Sequence, residues 1–201
     1  MTTPRDLLIV ALDTVPDRPV ERGDLSLALA GAEMIDLLDA EALTLDGDRV
    51  VPGLRPTMAD RLLDEAASSL DREAPYELVD DWLWRRGRDL STAYMASLEQ
   101  DGEVTRRHHR WAPFGAGRAA LADSPARRRA TDRWASGEPV LATLAAAVGI
   151  REEPTGDAAE VADEAVVTVL AAVSDAVMEL EAVRQRRAIE QAAFDNIWRG
   201  D

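Results

Sequence analysis

The chain has 201 residues, a net charge of −15 and a 46% apolar composition. That charge repels nucleic-acid phosphate and anionic membrane as generic partners. The absence of cysteine removes disulfides, thiolate metal sites and cysteine nucleophiles together, and with 4% aromatic residues the core has to be built from Leu, Val and Ala.

Residues 7–12 form a continuous apolar run that suits a buried strand and a short buried helix equally. Pro16 and Pro19 break the chain into a loop ending at Gly23. Residues 25–38 place Leu27, Gly31, Met34, Ile35 and Leu38 at helical spacing, which predicts an amphipathic helix. The stretch 43–51 follows directly and predicts a β-hairpin turning at Asp46-Gly47-Asp48. Pro52, Gly53 and Pro56 make a rigid connector.

A second helix is expected within 58–70, carried by Leu62, Leu63, Ala66, Ala67 and Leu70. A third starts near Pro75 with Tyr76, Val79 and Leu83 inward, and Gly87 interrupts it. Leu90, Tyr94 and Leu98 mark a fourth, which stops at 100–103, and 104–111 reads as strand. Asp46-Gly47 and Asp101-Gly102, about 55 residues apart, both read as turns at or beside a hairpin. They suggest two structural units of similar shape.

Asp123-Ser124-Pro125 is a helix start, with a capping side chain and a proline in the first turn. That helix carries Arg127, Arg128, Arg129, Arg133 and Trp134, and Gly137 and Pro139 end it. Residues 140–148 form a short apolar helix closed by Gly149, and 152–157 are an acidic break. No Pro or Gly interrupts 161–199, so one long helix or two are expected, with Val161, Ala165, Val169, Ala172, Ala176 and Leu180 on one stripe. The fold class is mainly α, a globular helical domain with winged-helix-like β-hairpins. It is expected as one domain over 1–201, its core at 6–150 and a C-terminal helical part at 158–198. The longest apolar runs, 141–148 and 166–173, fall well short of a membrane span, and no signal peptide is expected.

All 23 basic residues are arginine, which points to a GC-rich gene and a bacterial source. Between Trp84 and Trp134 there are eleven arginines against six acids, a net of +5 that leaves the remainder at −20. An anion-binding face belongs in that third. The candidates are Arg127, Arg128 and Arg129, with Arg133 one turn on, because the planar guanidinium fork matches phosphate and residues 129 and 133 share a helix face. Arg110 and Arg118 approach the same region. The competing reading is a solvated helical face. His108 and His109 are the only histidines, and as strand neighbours they point to opposite faces, so no metal site is expected. There is no glycine-rich phosphate loop and no nucleophile elbow. Trp82, Trp84, Trp111, Trp134 and Trp198 are expected in the core or half-buried, with a membrane interface as the alternative for an exposed one.

Residues 29–37 (Leu-Ala-Gly-Ala-Glu-Met-Ile-Asp-Leu) are followed by Ala42-Leu43-Thr44-Leu45. Leu62-Leu63-Asp64-Glu65-Ala66 comes next, then Trp82, then Leu98-Glu99-Gln100-Asp101-Gly102-Glu103-Val104. In this order the chain resembles the Golgi phosphoprotein 3 family, specifically its short bacterial members, over roughly 6–150. The resemblance implies a non-enzymatic peripheral membrane protein without cofactor, cytoplasmic and held at the inner face of the membrane. It implies phosphatidylinositol 4-phosphate as the headgroup bound, and for eukaryotic members an adaptor role. The family's pocket tryptophan belongs in the loop 19–24, which here has no aromatic, and its core-helix arginine falls at Ala30. Its later basic residues fall near 127–133, with Arg129 the best match, and Arg22 in the preceding loop completes the lipid-headgroup set. Two alternatives stand beside this: a soluble cytosolic protein-interaction module of the same fold, and a winged-helix nucleic-acid binder, which the charge opposes.

Overall fold

The apolar run near the N-terminus is helix α1 (Thr3–Asp13), started by a proline in its first turn. In the computed structural model, which describes residues 2–14, 19–106, 119–150 and 163–198, Leu7, Leu8, Ile9 and Val10 are all buried. Helix α2 (Arg22–Asp39) follows, and every residue from 25 to 35 is buried. The periodicity of 25–38 predicts a one-sided helix, but α2 is covered on all sides. Its small residues, Ala28, Ala30, Gly31 and Ala32, occupy the positions that a surface helix would give to polar side chains.

Strands β1 (Leu43–Asp46) and β2 (Arg49–Pro52) pair antiparallel across a two-residue turn in which Gly47 takes φ +62°. Helix α3 (Arg61–Ser68) is capped by Asp60, which accepts from Leu62 N at 2.9 Å and Leu63 N at 3.2 Å. Helix α4 (Val79–Arg86) starts later than Pro75 suggests. The residues before it are spent on the free edge of β2, where Val50 N donates to Glu77 O at 2.9 Å and Val79 N to Asp48 O at 2.8 Å.

Helix α5 (Leu90–Gln100) ends at Asp101, and Gly102 takes φ +74°. This glycine terminates a helix and does not turn a hairpin. The second hairpin pairs β3 (Val104–Arg106) with β4 (Ala119–Leu121), Val104 opposite Leu121. Its connection, 107–118, holds His108, His109, Arg110, Trp111 and Arg118 and lies outside the described residues. The two acidic–glycine turns are therefore not equivalent, but the expected pair of similar units is present: α2 closes at Glu41 (φ +54°) and α5 at Gly102 (φ +74°), and each helix leads directly into an antiparallel hairpin.

Helix α6 (Pro125–Ala135) is capped as its sequence predicts, Ser124 Oγ accepting from Arg127 N at 3.1 Å. Helix α7 (Pro139–Ala147) is capped by the Glu138 carboxylate. Helix α8 (Glu164–Trp198) is one continuous element. Around α2 the chain packs α1, α4, α5, α7 and, most extensively, α8. No helix among the described residues is long and apolar enough to cross a membrane.

Candidate functional site

A cleft of about 270 Å³ opens where the start of α2 meets the turn between α4 and α5. Arg22 contributes from the first position of α2 and Arg88 from the turn. Both are exposed, and neither has an ion pair among the described residues. Half-buried Trp84 and the aliphatic Leu180 supply apolar walls. Beneath them Ser26 Oγ donates to Ser91 Oγ at 2.9 Å, and Ser91 N donates to Ser26 Oγ at 3.0 Å, which pins α5 to α2.

Two helix N-termini meet at this cleft. Neither Glu21 ahead of α2 nor Asp89 ahead of α5 caps its helix with its side chain. The first-turn N–H groups of α5 are already used, Ser91 N by Ser26 Oγ and Thr92 N by Asp89 O, so what the two helix ends add to the guanidinium charges is the positive end of each macrodipole. Asp89, held at φ +55°, also lines the cleft and is its one opposing charge. Glycine gives close approach at the walls, against backbone at Gly87 and against a movable leucine tip at Gly23. A Cβ on Gly23 would lie 2.8 Å from Leu180 Cδ2, and one on Gly87 would lie 2.7 Å from Leu83 O.

The turn that presents Arg88 rests on a buried network. Arg86 meets fully buried Glu33 with both forks, at 2.7 and 2.9 Å, and donates to Leu62 O at 2.9 Å. Tyr94 Oη donates to the same carboxylate at 2.9 Å. Burial pushes the Glu33 carboxyl up, and the hydrogen bond and charge of Arg86 pull it back part of the way. Burial, with the charge of Glu33, raises the Tyr94 phenol, so it stays protonated and donates to that carboxylate.

The arginines of α6 are placed differently. Arg127 binds Asp13 at 2.5 Å and Arg128 binds Asp123 at 2.9 Å. Arg133 binds Asp6 at 3.1 Å and Glu138 at 2.9 Å, and donates to Thr3 Oγ1 at 3.1 Å. Arg129 lines a separate depression shared with Arg5, Asp60, Asp101 and Glu103. Of the five predicted site residues only Arg22 stands in the cleft, and the structure does not bring it together with the α6 group. Ala30 is fully buried and takes no part. Sequence reading missed Arg88, Trp84 and the Ser26–Ser91 pair. The signal at hand was the Arg-Arg-Gly-Arg-Asp run at 85–89, a basic turn between two helices.

A family model described as Golgi phosphoprotein 3 matches residues 4–191. No curated protein matches the chain.

Proposed function

The chain belongs to the Golgi phosphoprotein 3 family, and from that premise we propose a non-enzymatic peripheral protein that takes an anionic, phosphoinositide-type lipid headgroup in the Arg22–Arg88 cleft. The observation that carries this reading is the contrast in pairing. Arg127, Arg128 and Arg133 already hold carboxylates of the chain itself, so an incoming phosphate would have to displace them. Arg22 and Arg88 are exposed with no such partner among the described residues. A phosphate there gains charge-assisted hydrogen bonds without breaking any. Trp84 gives the headgroup ring an apolar face. The α6 arginines then act as a more distant source of attraction, screened beyond about 8 Å at physiological ionic strength.

The test is co-sedimentation with vesicles of phosphatidylcholine alone, with added phosphatidylserine, and with added phosphoinositide. Wild type is expected to prefer the phosphoinositide vesicles, and Arg22→Ala/Arg88→Ala to lose that preference with its circular dichroism unchanged. Loss in Arg127→Ala/Arg129→Ala alone would move the site to α6. Binding to no vesicle at low salt would leave the protein-interaction reading in its place.

A further inference from the structure

Among the described residues, four of the five exposed large apolar side chains lie on α8, and three of them recur at a fixed interval: Val167, Met178 and Ile189, at 42%, 62% and 70% exposure. The interval is eleven residues, or three helical turns. Four residues after each comes alanine, at Ala171, Ala182 and Ala193. Seven after each comes a small or amide polar residue, at Ser174, Gln185 and Asn196. Among the described side chains the face thus carries large apolar, alanine and polar residues twice in full, with Ile189 opening a third repeat. At eleven residues per three turns such a stripe drifts by only about 20° per repeat around a straight helix, so it stays on one side of α8 from 167 to 189. It lies away from the buried side of α8, where Val169, Val173 and Ala176 meet the core.

We propose that this face is where two copies of the chain associate, with their α8 helices antiparallel. The register follows from the repeat itself. When residues 178 and 182 of the two copies are brought opposite each other, Met178 faces Ala182 and Ile189 faces Ala171. The same alignment sets Ser174 beside Gln185. It also sets Asp175 beside Arg186, on the flank that antiparallel helices share. Asp175 and Arg186 are both exposed, and neither has a partner within its own chain among the described residues. A two-fold axis makes each of these contacts twice. A parallel pair would put Met178 on Met178 and would leave Asp175 and Arg186 about 16 Å apart. The strip from 167 to 189 is about 33 Å long and roughly 10 Å wide. That is less than stable interfaces bury, so the dimer dissociates on dilution. This inference is independent of the headgroup reading.

The test is sedimentation equilibrium of the full chain across concentrations up to about 1 mM, where even a weak dimer fills. Wild type is expected to self-associate and Met178→Glu/Ile189→Glu to remain monomeric with an unchanged melting temperature, since both side chains are exposed. Asp175→Arg should weaken association by about tenfold, and Asp175→Arg/Arg186→Asp should restore it. The chain has no cysteine. A mixture of Met178→Cys and Ala182→Cys proteins should therefore oxidise to the mixed disulfide ahead of either homodimer. A wild type monomeric at every concentration overturns the proposal. So does a Met178→Cys protein that crosslinks to itself ahead of the mixed pair. Loss of vesicle binding by Met178→Glu/Ile189→Glu in a protein that never dimerises also overturns it, and assigns the stripe to a membrane surface.

Discussion

A Cβ placed on Gly31 of α2 would lie 2.2 Å from Cγ2 of Val173 on α8. The missing side chain lets Val173 pack directly against the α2 backbone there. Gly31→Ala gains about 1 kcal/mol of helix propensity but forces a methyl into a branched side chain across a packed interface. Overpacking of this kind costs about 1–3 kcal/mol, and a longer side chain costs more. Gly31→Leu is therefore expected to lower the melting temperature by several degrees, at about 2–4 °C per kcal/mol for a chain of this size. Gly31→Ala/Val173→Ala should recover most of what Gly31→Ala loses. An unchanged melting temperature for Gly31→Leu would mean that α8 can lift off α2 at no cost.

Arg86→Met leaves Glu33 fully buried and short of its fork, so the carboxyl is either charged without a partner or forced to take up a proton. Losing one partner of such a pair costs about 3–5 kcal/mol. Glu33→Gln/Arg86→Met should cost clearly less than the two single changes added together, since no unpaired charge remains. Urea unfolding of the four proteins provides the cycle, and additivity would show that the pair is solvated.

Burial pushes the Asp36 carboxyl up to about 6, against the hydrogen bond that Thr3 N donates to it at 2.8 Å. Asp6, Asp24 and Glu33 are raised by burial in the same direction. A carboxyl whose folded value lies above its unfolded value of about 3.9 takes up its proton more readily when folded. The stability it contributes is thus full below about pH 4 and is lost as pH rises through 6. The melting temperature is expected to rise on acidification from about pH 7.5 to pH 5. Asp36→Asn should flatten that rise. Thermal melts of both proteins across this range are the check, and a fall on mild acidification would contradict the assignment.

At the cleft, each arginine-to-phosphate contact contributes about 1.5–3 kcal/mol. Removing Arg22 and Arg88 together should therefore weaken binding by at least about a hundredfold, at about 1.4 kcal/mol per decade. Trp84→Ala should weaken it less and leave its salt dependence intact, since that side chain offers contact area and no charge. A Trp84→Ala protein with a flatter salt dependence would mean that the indole positions Arg88.

Local chemistry was legible in the sequence, and distant pairing was not. Ser124 and Pro125 start α6, and Asp46-Gly47 turns the first hairpin, because neighbouring residues decide both outcomes. Asp101-Gly102 has the same composition but sits behind a helix, so its glycine closes α5. The site was harder still. Arg127 looked available because its acid, Asp13, is 114 residues away, and Arg133 because Asp6 is 127 away. Arg22 and Arg88 line one cleft because Ser26 bonds Ser91 across 65 residues and Glu33 holds Arg86 and Tyr94 across 53 and 61. The charge balance of 84–134 located one of these two arginines within its window and gave no reason to join it to the other.

The contact between α2 and α8 spans most of the chain, and this sets a clock on synthesis. Val173 leaves the ribosome 142 residues after Gly31, a delay of roughly 7–28 s at about 5–20 residues per second. The central helix is made almost first, and the helix that covers it is made last. For that interval the nascent chain carries an uncovered strip of leucine and alanine, the kind of surface through which incomplete chains aggregate.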